Sequence, residues 1–153
     1  MQENVLEIKN LHVQFPIHIG TVRAVEDVSL NLRKGEVMGL VGESGCGKST
    51  LGFSIPRLLR PPGKIAGGEI NYHGRDICRM HIKELLELRG RNISMIFQDP
   101  LTSLDPLYTI GEQFLETLRT HEKGIKKKIA LERAAEMLKS LGISPDRLHE
   151  YPH

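Results

Sequence analysis

From Val5 to Phe15 the apolar positions Leu6, Ile8, Leu11, Val13 and Phe15 alternate loosely with polar ones. From Val22 to Leu32 the alternation is cleaner: Val28, Leu30 and Leu32 fall on one side, Asp27, Ser29, Asn31 and Arg33 on the other. A period of two sends successive side chains to opposite faces, so both stretches predict strands, the second a half-buried antiparallel one. Lys34-Gly35 predicts a turn. Val37 to Val41 is apolar throughout, the pattern of a strand buried on both faces. A glycine-rich loop at 42–47 follows. A helix is expected from Lys48 through Leu51, Phe53 and Ile55. It should kink or stop near Ile55, since Pro56 removes a backbone donor and clashes one turn back, at about 3 kcal/mol in a helix interior. Arg60-Pro61-Pro62-Gly63 reads as loop, and Gly68 to Tyr72 as a short strand closed by a turn at His73-Gly74.

Beyond this the pattern turns helical. Ile93 to Phe97 predicts a brief strand, and Gln98 to Leu107, with two prolines and two aspartates, a loop. Thr109-Ile110-Gly111-Glu112 has the form of a capping box, a hydroxyl at the cap and a carboxylate three residues on. Ile110, Phe114, Leu115 and Leu118 then share a helical face. Ile129, Ala134, Ala135, Leu138 and Leu141 predict a second amphipathic helix ended by Gly142. Ser144-Pro145 opens a third, with a cap and a first-position proline. The order is β-rich, then strand–loop–helix, then helical, an α/β arrangement. The composition shift near residue 99 suggests two parts, 1–98 and 99–153.

Composition narrows the class. The 153 residues are 39% hydrophobic and 26% charged, which suits one globular domain. A formal charge of +2 gives no strong field toward nucleic acid or anionic membrane, and no nucleic-acid partner is expected. Lys126-Lys127-Lys128 reads as the solvated start of a helix. Cys46 and Cys78 form neither a CxxC pair nor a disulfide framework, which suits a reducing compartment. The first residues, MQENVLEIKN, lack an apolar signal-peptide core, and Val37–Val41 is far too short to span a bilayer.

The chemistry concentrates in Gly42-Glu43-Ser44-Gly45-Cys46-Gly47-Lys48-Ser49, which fits G-x-x-x-x-G-K-[ST]. A polyphosphate is held by inward-pointing backbone N–H groups, and glycine lets the chain curl tightly enough to present them. The following helix turns the positive end of its dipole on the same anion. Lys48 adds a mobile charge for the β and γ phosphates. Ser49 offers a hydroxyl to Mg²⁺, an ion that keeps most of its waters. Loop, preceding apolar run and following helix stand in the order this chemistry needs.

The run VGESGCGKST, the segment MIFQDPLTSLDP and the stretch EYPH together resemble an ATP-binding subunit of an ABC transporter, most of all the branch importing peptides and nickel. The resemblance covers essentially the whole chain, and QDPLTSLDP is its most branch-specific part. It implies a P-loop NTPase fold: an antiparallel β subdomain, part of a RecA-like core and a helical subdomain. It further implies that Ser44 to Ser49 with Thr50 wrap the phosphates of ATP. Gln98 is matched to the Q-loop glutamine, touching Mg²⁺ and the attacking water. Phe15, near the end of the first strand, is the candidate platform for adenine, although Ile19 and not an aromatic precedes Gly20. The implied partners are two membrane permease subunits, a second ATP-binding subunit in a head-to-tail dimer and, indirectly, a solute-binding receptor, at the cytoplasmic face of the membrane.

Two other motifs compete. His149-Glu150-Tyr151-Pro152-His153 fits the zinc-protease pattern H-E-x-x-H, but that site needs both histidines one turn apart on an unbroken helix, and Pro152 lies between them. In the resembled family a tyrosine-proline-histidine segment leads into the signature motif. Ile93 to Asp99 resembles an apolar strand ending in an aspartate, but Ser94 and Gln98 interrupt it and no glutamate follows Asp99. The 153 residues contain no signature motif, hydrolytic glutamate or switch histidine of the family. This stretch alone is therefore expected to bind Mg²⁺-ATP weakly and to turn over almost none. The alternatives are a permease-docking piece or degraded gene product without enzymatic activity, and a P-loop small-molecule kinase.

Overall fold

The computed structural model describes residues 3–99 and 103–152, and the chain divides into two compact units, 1–89 and 90–153. The first unit is built on strand β1 (Asn4–Ile17), which pairs antiparallel with β2 (Gly20–Arg33) on one edge and with β3 (Lys64–Tyr72) on the other. A short β4 (Arg75–Asp76) completes the order β2-β1-β3-β4. Both alternating stretches are thus strands. Their inward residues Leu6, Ile8, Leu11, Val13 and Val25 are buried, with Ile70 of β3. The third strand starts four residues earlier than its apolar pattern suggested, because Lys64–Gly67 pairs with the outer half of β1.

Near the middle of β1 both ladders slip. Asn10 and Asp27 take left-handed conformations, and Asn10 Nδ2 donates to Asp27 Oδ1 at 2.7 Å. Gly68 stands where a Cβ would meet the Asn10 carbonyl oxygen at 2.3 Å. Bulges of this kind bend a sheet and raise its twist.

Helix α1 (Lys48–Ser54) stops just before Ile55, as Pro56 requires. Helix α2 (Ile82–Leu88) and a 3₁₀ turn at Ile77–Arg79 close this unit, burying Ile77, Met80, Leu85 and Leu88.

Two expected strands are absent. Val37 to Val41 has no strand pairing, and Val37 and Val41 are 97% and 95% exposed. Only Ile93 of the segment 93–97 makes a bridge, and Ile96 is 92% exposed. An apolar run becomes a buried strand only when neighbours supply a ladder on its edges and cover for its faces. The described residues supply neither.

The second unit packs α3 (Ile110–His121), α4 (Lys127–Ser140) and a 3₁₀ turn at Pro145–His149. Its core joins Ala134, Leu138 and Leu148, flanked by Ile110, Phe114 and Ala135. The buried stripe of α4 is Ala130, Ala134 and Leu138, so Ala134 and Leu138 of the predicted face are buried while its Ile129 and Leu141 lie exposed. The expected third helix is this single 3₁₀ segment, with the Ser144 hydroxyl accepting from Asp146 N–H. No helix among the described residues is long and apolar enough to cross a membrane.

Candidate functional site

The glycine loop leaves the exposed 37–41 segment and winds into α1. Cys46 N–H donates to Glu43 O at 3.3 Å, closing a turn through Ser44 and Gly45. Gly45 and Gly47 sit at φ 83° and 94°, a region that L side chains rarely adopt. Gly47 is also pressed onto β2, where a Cβ would meet the Ala24 carbonyl oxygen at 2.2 Å. A Cβ on Gly42 would meet Cys46 Sγ at 2.6 Å. The loop is therefore a cradle that side chains at these glycines would fill or distort.

The first intrahelical bond runs from Leu51 N–H to Gly47 O, so the amides of Lys48, Ser49 and Thr50 have no acceptor within the helix. Lys48 curls over the loop, its ammonium donating to Gly42 O at 2.7 Å and Glu43 O at 2.6 Å, with Cys46 Sγ at 3.5 Å. Exchanging one of these neutral acceptors for a phosphate oxygen would give a shorter, charge-assisted bond. Ser49, Ser44 and Glu43 are exposed, and Thr50 is half-buried. Amides, one ammonium and the hydroxyls of Ser44, Ser49 and Thr50 form a donor set suited to a polyphosphate. The Ser49 hydroxyl is a hard oxygen of the kind Mg²⁺ takes.

Phe15 lies near the end of β1, half-buried, its ring edge against Gly63, where a Cβ would meet Cε1 at 2.5 Å. Gln98 belongs to the second unit and is exposed in a bend. Of the QDPLTSLDP segment, Pro100, Leu101 and Thr102 lie outside the described residues, as does His153 of the HEYPH stretch. His149 ends a 3₁₀ turn and residues 150–152 are not helical, so the spacing of a zinc-protease helix does not form there. The two thiols differ. Cys46 is exposed in the loop, while Cys78 is half-buried, and burial and then the Asp76 carboxylate push its thiol up.

Residues 25–153, from within β2 through the loop and helices α1 to α4, match the family described as ABC transporter. The chain belongs to the ABC transporter family. Among curated members, this ABC chain is 48% identical to the dipeptide transport ATP-binding protein DppD of Bacillus subtilis (strain 168), with 99% of the chain and 46% of that protein aligned. It is 43% identical to the oligopeptide transport ATP-binding protein OppD of the same strain, over 97% of the chain and 42% of that protein. The chain thus spans about half the length of the curated relatives it matches. Among solved structures it is similar to the dimeric bacterial ABC transporter cassette MJ0796, with a TM-score of 0.82, 26% identity, and 96% of this chain and 61% of that one covered. The same cassette bound to ADP and Pi gives a TM-score of 0.79 at 25% identity, over 96% and 61%. The P-loop NTPase, α/β character expected from the sequence is thereby established.

Sequence reasoning missed the Ala24 carbonyl under Gly47, and the contacts of Arg57 and Arg89 at the far end of α1. All act through main-chain carbonyls, which leave no mark in residue spacing.

Proposed function

We propose that this chain is the nucleotide-binding part of an ATP-binding subunit that couples ATP hydrolysis to import of peptides or similar solutes. The observation that carries it is the loop Gly42–Thr50, with two glycines at positive φ and the Lys48 ammonium curled over the rim. In this reading Gly42, Glu43, Ser44, Gly45, Cys46, Gly47, Lys48, Ser49 and Thr50 surround the phosphates. The backbone amides hold the chain of anions, and Lys48 meets the terminal ones. Mg²⁺, when bound, would neutralise charge between the phosphates, and the Ser49 hydroxyl would be the oxygen this unit offers it; Gln98, in the second unit, is the separate Q-loop candidate. Phe15, its ring steadied by Gly63, offers a flat apolar face to adenine. The peptide substrate class is supported by the names of the relatives, whose identity extends over nearly all of this chain.

Titration with a fluorescent ATP analogue tests the loop. Lys48→Ala should weaken binding at least tenfold, and equal affinity for the two proteins would remove the P-loop assignment. The 153 residues alone should turn over ATP at background rate, and turnover well above background would defeat that part of the proposal. Two permease subunits and a second ATP-binding subunit are the proposed partners. Docking through the 98–107 segment is supported by Leu107, a large apolar side chain that is 81% exposed. Retention of the chain by permease subunits in a pull-down, lost on Leu107→Glu, is the expected result.

A further inference from the structure

The chain leaves α1 through an unusual stop. Leu58 N–H donates to Phe53 O at 2.8 Å and Arg57 N–H to Ser54 O at 3.0 Å, with Arg57 left-handed at φ 53°. This terminating arrangement ordinarily places glycine at the left-handed position, where a Cβ is strained. Here the residue is arginine, and its side chain is engaged: Nη1 donates to Met80 O at 2.8 Å and to Ile77 O at 3.3 Å. A second arginine grips the same turn. Arg89 Nε donates to Pro56 O at 2.8 Å and its Nη2 to Arg57 O at 2.8 Å. The two guanidinium groups tie the last turn of α1 to the 77–80 turn and to the end of α2. Burial, and then the charge of Arg57, lower the Arg89 guanidinium from its ordinary value. Two neighbouring cations and a strained backbone are more than a helix stop requires, since glycine alone would suffice.

We propose that Arg57 and Arg89 are positioning residues for the nucleotide: they clamp the rear of α1 and thereby set Lys48, Ser49 and Thr50 against the phosphates. The proposal rests on the nucleotide-binding reading above. Its mechanical basis is the shortness of α1. Seven residues make a rod roughly 10 Å long. Only Leu51 and Ser54 of those seven are buried, and Gly47 rests on Ala24 at the front. A rod so lightly anchored pivots if its rear is freed, and the loop side chains at its front move with it. Misplacement of about 1 Å at such a site can cost on the order of a hundredfold.

The test compares Arg89→Gln, Arg89→Lys and Arg57→Gly by titration with a fluorescent ATP analogue, competition by inorganic triphosphate, and thermal unfolding. Arg89→Gln should weaken ATP and triphosphate alike by about tenfold, and Arg89→Lys, which keeps one cationic donor, should recover most of that loss. Arg57→Gly relieves the backbone strain, so its affinity should fall while its unfolding temperature changes little. Thr109→Ala, in the other unit, should lower the unfolding temperature without altering affinity. Wild-type affinity in both Arg57→Gly and Arg89→Gln overturns the clamp. Should Arg89→Gln not fold, wild-type affinity in Arg57→Gly overturns it alone. Retained binding in Lys48→Ala would show instead that the underlying P-loop reading has failed.

Discussion

At position 47 a methyl group would lie 2.2 Å from the Ala24 carbonyl oxygen while forcing an L residue to φ 94°. Both penalties act on the turn that presents the loop amides. Gly47→Ala should therefore abolish detectable binding of an ATP analogue and lower stability by about 1–3 kcal/mol, read by denaturant unfolding. The thiols give a second prediction at this scale. The thiolate is the reactive form, and Cys78 is both half-buried and pushed toward the neutral thiol, whereas Cys46 stands exposed beside Lys48. Mass spectrometry after brief alkylation should find Cys46 modified well before Cys78, with Mg²⁺-ATP protecting Cys46. Equal labelling of the two would contradict the burial assigned to Cys78.

Helix α3 is tied at its start by the reciprocal cap that Thr109-Ile110-Gly111-Glu112 announced. Thr109 N–H donates to Glu112 Oε2 at 2.9 Å, and Glu112 N–H to Thr109 Oγ1 at 3.3 Å. The bonds from the Thr109 backbone, then its side chain, hold the Glu112 carboxyl below its ordinary value near 4.5. A depressed carboxyl pKa contributes stability that is full above the unfolded value and fades as pH falls through the folded one. Helicity of the second unit should accordingly begin to fall below about pH 4.5 in the wild type, with a weaker pH dependence in Glu112→Gln. Leu138→Ala should cost that unit about 2–5 kcal/mol, since Leu138 is buried between Ala134 and Leu148. Elements with a local signal were legible in this way: the alternation of β1 and β2, the Pro56 stop, the Thr109 cap. α2 was not, because seven residues with Ile82 and Leu86 left exposed give no clear stripe. Val37–Val41 misled because an apolar run reports a demand for neighbours and says nothing of whether they are present. The course of the glycine loop into α1 was legible as well, since glycines and a helix start stand at fixed spacing there. The arginine clamp behind it was not, since it is made of contacts twenty or more positions apart.

Across the whole molecule, large apolar side chains stand in solvent along 37–41 and at Ile96, in a chain half as long as its relatives. Large exposed apolar side chains in a run such as 37–41 bind hydrophobic dyes and favour association. The 153 residues should bind such a dye strongly. Fusing the remaining portion of the Bacillus subtilis relative should suppress that binding and slow amide exchange at 37–41. Persistent dye binding in a folded fusion would show that the exposed run serves some other surface.

The sheet order has a consequence for synthesis. β1 meets β2 across a two-residue hairpin, then β3, and the last paired strand ends at Asp76. Nascent chains grow at roughly 5–20 residues per second, slow compared with hairpin closure in microseconds. The β1–β2 hairpin can thus close before the phosphate loop is made, so Gly47 meets an Ala24 carbonyl already set in its strand, and β3 and β4 join that pair afterwards, before α3 is translated.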